Sequence, residues 1–354
     1  AAATEIGGRV LVLTVDPARR LADALGVGSL GNTATRVAPE AFAEAGVEPR
    51  GELWAAMLDT KAGWDELIRR HAPDDHTRDA VLANPLYQNI TARFVHSHDY
   101  LAMEQLHELH SSGDYDLIVV DTPPSRNALD VLDAPGRMME FFGSKLLKWL
   151  TVPYRSRLFT MASKPFYQVA DKVLGSRFLQ DIAEFFILFQ AMEEGFVTHA
   201  REVEHLLGDP RTTFVVVSTL EAAPAHEAAF LARELTRRDL PLGAIVANRA
   251  LPASFTAKAS ATSARKLAAA ADGPLADEVA EIVGARGGPA DRDVVAGVLS
   301  EVATRFHDIA VVATRESERR AELAELAGLV VTVPMLDGDV NDLADLHRLA
   351  GAFR

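Results

Sequence analysis

Asp16 and Asp121 are the residues of this chain best placed to do chemistry. Each closes a short apolar, β-branched run, Val10-Leu11-Val12-Leu13-Thr14-Val15-Asp16-Pro17 and Leu117-Ile118-Val119-Val120-Asp121-Thr122-Pro123-Pro124. Such a run is how a buried parallel strand looks when it delivers a carboxylate to the carboxyl edge of a sheet. Nucleotide hydrolases hold phosphate and Mg2+ at that edge. Asp121 would hold the hard cation, usually through water, with Thr122, Pro123, Pro124 and Ser125 as a switch loop. Asp16 is placed to orient or deprotonate an attacking water. An Asp before Pro is also a common helix cap, and pattern alone leaves both readings open. Asn248, closing Gly243-Ala244-Ile245-Val246-Ala247, has a carboxamide suited to an adenine edge, or simply to a turn. No Gly-x-x-x-x-Gly-Lys-Ser/Thr loop occurs in the sequence.

Positioning these groups requires a sheet. Strands are expected at Val10–Asp16, Leu53–Asp59, Leu117–Thr122, Phe214–Thr219, Gly243–Asn248, Ile309–Thr314 and Leu329–Pro334. Between them lie segments of helical spacing such as Glu221–Asp239 and Ser317–Ala327, and the alternation predicts an α/β fold with a doubly wound, mainly parallel sheet. Ala1 to Gly8 reads as the end of a helix with a Gly stop, which implies an upstream strand, loop and half-helix.

The 134–207 stretch breaks the alternation and reads as an inserted all-helical subdomain, leaving 1–133 and 208–354 as the α/β domain. It holds Met138, Met139, Phe142, Phe185, Phe189 and Met192 among much of the chain's aromatic and methionine content. These side chains are either a helical core or an apolar groove for varied hydrophobic partners. Lys145, Lys148, Arg155 and Arg157 around Trp149 and Tyr154 also permit an amphipathic patch facing a membrane. The 253–292 stretch, rich in Ala, Gly and Ser, reads as helices joined by loops.

Composition removes several classes of function. A formal charge of -14 opposes nucleic acid as the main partner. The absence of cysteine excludes disulfides, thiolate metal sites and a Cys nucleophile. His107 and His110 share a helix face near His96 and His98, without an obvious carboxylate partner, and read as a solvated face rather than a metal site. No apolar stretch approaches the roughly 20 residues a bilayer needs, so a cytoplasmic location is expected, with peripheral membrane contact as a further option.

The segment from Val12 to Gly26 resembles switch I of the arsenical-pump and tail-anchored-protein-targeting ATPase family, deviant Walker A P-loop proteins. Similar segments follow at Tyr100–Leu106, at the switch II run Asp121-Thr122-Pro123-Pro124-Ser125-Arg126-Asn127-Ala128-Leu129, at Ser218–Glu221, at Leu240–Arg249 and at Val333–Leu336. The resemblance implies a P-loop NTPase-like ATPase using ATP and Mg2+. Asp16 would polarise the attacking water, Asp121 would lie near Mg2+, and Pro17, Thr122 and Pro123 would belong to the switches. Glu221 and Asn248 would approach the nucleoside, and Pro334, Met335 and Leu336 would border the adenine. It further implies a homodimer or a heterodimer with a paralogue, closing around nucleotide, and a helical insert that binds hydrophobic clients. The family's P-loop would precede Ala1. The missing cysteines exclude a thiolate arsenite site and a paired-cysteine zinc site, and Pro123-Pro124-Ser125-Arg126-Asn127 replaces the common Ala-Pro-Thr-Gly-His, as in an actinobacterial subgroup. The expected function is an ATPase switch that captures or releases a hydrophobic protein client or drives a membrane-associated partner. The alternatives are a non-hydrolysing subunit pairing with an active paralogue and an anion pump without thiolate ligands.

Overall fold

The computed structural model describes residues 2–15, 20–28, 30–90, 97–122, 128–144, 176–288, 291–336 and 338–353. Asp16, Pro17 and Pro123, and the basic and aromatic residues from Lys145 to Arg157, lie outside them. The chain forms two compact units, Ala1–Thr212 with Val340–Ala350, and Thr213–Asp339 with Gly351–Arg354.

The first unit is built on strands β1 (Gly8–Thr14), β2 (Thr35–Arg36), β3 (Gly51–Met57) and β4 (Leu117–Asp121). Their order is β2-β3-β1-β4, with β1 parallel to both β3 and β4 and only the short β2 antiparallel. A two-residue strand carries too little pattern to be expected from sequence. Entry into β1 matches the expected helix stop: α1 (Ala2–Glu5) ends before Gly7 and Gly8, both at positive φ. Opposite them, Gly51 is required by space, since a Cβ there would sit 2.1 Å from the Gly8 carbonyl oxygen.

Helices cover both faces of this sheet, as a doubly wound fold requires. Neighbouring residues of a strand face opposite ways. Ala55 joins a cluster with Leu25 of α2 (Arg20–Leu25), Phe42 of α3 (Pro39–Glu44) and Leu343 of the C-terminal helix Leu343–Ala350. Ala56 joins Leu11 and Leu13 against Leu106 and Leu109. β4 departs from the buried run expected: Leu117 is 43% and Val119 46% exposed, because among the described residues β4 pairs only with β1 and one of its faces is uncovered.

Helices α4 (Thr60–His71), α5 (Asp75–Ala83), α6 (Pro85–Ile90), α7 (Ser97–Ser111), α8 (Ala128–Gly143), α9 (Ser176–Gln190) and α10 (Glu193–Leu207) complete the first unit. Phe196, Ala200, Val203 and Leu207 recur at four- and three-residue steps, so α10 buries one stripe, which packs on α7 and α8. Aromatic rings join α8, α9 and α10. Phe142 lies 5.3 Å from Phe189 and 5.4 Å from Phe196, centroid to centroid, and Phe185 stacks on Phe189 at 5.3 Å.

The second unit holds β5 (Phe214–Thr219), β6 (Leu242–Ala250) and β7 (Val330–Pro334), all parallel in the order β5-β6-β7. Between them run α11 (Ala222–Arg237), α12 (Lys258–Ala270), α13 (Pro274–Ala285) and α14 (Arg292–Ala324). The strand expected at Ile309–Thr314 is instead part of α14, a helix of 33 residues. A β-branched run without flanking breakers can extend a helix, and here Ile309, Val311 and Val312 lie on its exposed surface rather than in a sheet.

Phe142 is fully buried among these rings. Phe142→Ala should lower the unfolding free energy by about 3–5 kcal/mol. Urea denaturation followed by circular dichroism would measure it, and a loss below about 1 kcal/mol would show that the rings do not carry this core.

Candidate functional site

Parallel pairing sets the carboxyl ends of β1, β3 and β4 side by side, with Thr14 opposite both Met57 and Asp121. The ladder continues past the strands: the Val15 N–H donates to the Asp121 carbonyl at 3.1 Å, and the Leu58 N–H donates to the Thr14 carbonyl at 3.1 Å. Val15 is the last described residue before Asp16. The Thr14 hydroxyl, itself buried, donates to Asp121 Oδ2 at 3.2 Å. Asp121 is exposed, and its Oδ1 has no hydrogen-bond partner among the described residues. Thr122 follows it, exposed as well.

A third carboxylate stands at this edge and serves a different purpose. β3 ends at Met57, and Asp59 caps α4 by accepting the Ala62 N–H at 3.0 Å. Asn32 clamps its backbone, accepting the Asp59 N–H at 2.6 Å and donating to the Asp59 carbonyl at 3.2 Å. Asp59 thus uses its carboxylate to cap a helix, whereas Asp121 caps none among the described residues and is oriented through Oδ2 alone. Such a carboxylate, at a sheet's carboxyl edge, fits a hydrated divalent cation.

In the second unit the same edge gathers the other residues singled out by sequence. Thr219 pairs with Asn248, and Ala250 with Pro334. Glu221 is the exposed N-cap residue of α11 but makes no side-chain cap bond. Asn248 is half-buried, and its Oδ1 accepts the Arg249 N–H at 3.0 Å where Arg249 turns with φ 56°. Asn248 does not end the strand: it lies within β6, where the register shifts between Ala247 and Ala250, and its oxygen serves that irregularity. Thr219 Oγ1 is buried without a hydrogen-bond partner among the described residues, an orphaned polar atom at a strand end. Pro334 closes β7 and Met335 and Leu336 follow it, all three exposed, with the Met335 N–H bound to the Ala250 carbonyl at 2.9 Å.

Residues 1–271 match the profile of the family described as anion-transporting ATPase. The chain belongs to that family. No curated protein matches it significantly. The anion-transporting ATPase match takes in Asp16, Asp121, Glu221 and Asn248 and stops before Pro334, Met335 and Leu336. It agrees with the family that the strand-end segments resemble, and with its ATP-binding α/β architecture.

Of the apolar residues considered for client binding, Phe142, Phe185, Phe189 and Met192 are buried, and Met138 and Met139 are half-buried. The histidines also differ from expectation. His110 is exposed, but His107 lies half-buried with Nε2 3.6 Å from Glu202 of α10, a carboxylate 95 residues further along the chain. Burial, helped by the charge of the neighbouring His199, pushes the His107 pKa below its ordinary value. No local pattern announces such a pair.

Thr14→Val keeps the shape of the strand end while deleting the hydroxyl that orients Asp121. It should cost about 1–2 kcal/mol of stability, measured by chemical denaturation. An unchanged midpoint would mean the bond is not made in solution.

Proposed function

We propose that this protein hydrolyses ATP and uses the cycle to capture and release a partner. The observation carrying this reading is Asp121, oriented by Thr14 at the carboxyl edge of β4 and without a partner at Oδ1 among the described residues, within the span of the family match. Asp121 holds Mg2+ through water, and Asp16 orients the attacking water. Bound Mg2+ would neutralise charge on the phosphates. Pro17, Thr122 and Pro123 act as switch residues. Glu221 and Asn248 approach the nucleoside, with Pro334, Met335 and Leu336 bordering the base. The orphaned Thr219 hydroxyl supports a polar ligand at the second edge.

The protein works as a dimer, with itself or with a paralogue, whose closure on nucleotide alters the helices of 134–207. Those helices serve a hydrophobic or membrane-protein client. Because Phe142, Phe185, Phe189 and Met192 are enclosed, client capture requires α8, α9 and α10 to separate. No described helix is long and apolar enough to cross a membrane.

In the full-length protein, Asp16→Asn should reduce ATP turnover by about 10²–10⁴-fold while leaving nucleotide binding intact. Steady-state phosphate release and fluorescent-nucleotide titration separate the two effects. Unchanged turnover would reduce Asp16 to a helix cap. Absence of turnover in the unmodified protein would favour the non-hydrolysing subunit.

A further inference from the structure

Three helices far apart in sequence bring His71, Glu104 and His199 together inside the first unit. His71 is the last residue of α4, Glu104 lies within α7 and His199 within α10. His199 Nδ1 is 3.2 Å from Glu104 Oε2, and His71 Nε2 is 3.9 Å from the same oxygen. One ligand atom from each of the three residues falls within 4.8 Å of the other two. The His71 and Glu104 side chains are each 3% exposed.

The decisive atom is His71 Nε2. It is buried and makes no hydrogen bond, although it is aimed at a carboxylate. A polar core assembled only for packing satisfies such atoms, since an orphan costs stability without return. An imidazole nitrogen held just beyond hydrogen-bond distance of a carboxylate, with a second imidazole on that carboxylate, is an arrangement that a cation between them would complete.

We propose that His71 Nε2, Glu104 Oε2 and His199 Nδ1 form a binding site for a divalent transition-metal ion, with zinc the best match. Two neutral nitrogens and one carboxylate suit zinc without any thiolate, and the fourth position would take water. Tetrahedral bonds of about 2.1 Å separate ligand atoms by about 3.4 Å, so atoms that lie within 4.8 Å of one another need close by about 1–1.5 Å at most.

The surroundings orient the ligands. The Tyr100 hydroxyl donates to Glu104 Oε1, which leaves Oε2 for the imidazoles. Glu202 Oε2 lies 3.9 Å from His199 Nε2, where an outer carboxylate of a metal-bound histidine would stand, although no hydrogen bond joins them here. Phe196 walls the His71 ring at 4.8 Å. Gly195 lets that ring seat against α10, because a Cβ at residue 195 would lie 2.7 Å from His71 Nδ1. A cleft of about 710 Å³ is lined in part by Glu104, together with Arg70, Leu101 and Gln105, and by neither of the two imidazoles.

The test uses the full-length protein stripped with a chelator and titrated with Co2+ and then Zn2+. One equivalent of Co2+ should bind with visible ligand-field bands, Zn2+ should displace it, and Zn2+ should raise the thermal midpoint. His199→Gln, checked for folding by circular dichroism, should weaken Zn2+ binding by more than about 100-fold. His107→Gln, outside the triad, should retain it. The site is refuted if the unmodified protein takes up no stoichiometric metal, or if His199→Gln binds as the unmodified protein does. Loss of binding in His107→Gln with retention in His71→Gln would refute it equally, since the ion would then sit on His107, His199 and Glu202.

Discussion

The hydrogen-bond ladder on both sides of β1 is the constraint on which the candidate catalytic edge depends. Seven residues of β1 pair in parallel with β3, and five pair with β4, so one register aligns the carboxyl ends of three strands. A slip of one residue would turn every side chain of β1 to the opposite face. Leu11 and Leu13 would then leave the cluster they share with Ala56, and the Thr14 hydroxyl would leave Asp121. Apolar packing within the sheet and the orientation of a charged group at its edge are therefore set by a single register. The close Gly8–Gly51 approach at the other end of the pair admits no side chain, which pins that register from below.

At the two edges, carboxylates and amides divide between structural and open uses. Asp59 satisfies the start of α4, and Asn248 spends its oxygen on the Arg249 N–H at the register shift in β6. The Asp121 carboxylate accepts only the Thr14 hydroxyl among the described residues, and the Glu221 side chain stands at a helix start without capping it. Polar groups at a strand's carboxyl end face helix N-termini with unfilled N–H donors, so capping is the default use. The groups that escape it are the ones available to a ligand.

The helices of the first unit combine two kinds of interior. Stacked phenylalanines of α8, α9 and α10 form a dry contact, while His71, Glu104 and His199 place charge and orphaned nitrogen a few ångströms from Phe196. Stacked rings can shift against one another at modest cost, but a buried carboxylate needs partners of fixed geometry. This polar contact consequently ties α4, α7 and α10 more specifically than the apolar packing does, whatever motion α8 and α9 undergo.

Much of this was legible in the chain. Short β-branched runs located six of the seven expected strands, and the three- and four-residue spacing of Ala225, Ala228, Ala232 and Leu235 marks the buried face of α11. The Gly stop before β1 and the carboxylate closing β4 were readable too, because each is a local backbone or side-chain preference. Only tertiary structure decided that Ile309 to Thr314 extends a helix, that β4 leaves Leu117 and Val119 exposed, and that Asp59 is a cap while Asp121 is open. It alone brought His71, Glu104 and His199 within reach of one another. The physical reason is range: propensity and periodicity act over a few residues, whereas register, burial and the meeting of polar groups come from contacts between segments tens of residues apart.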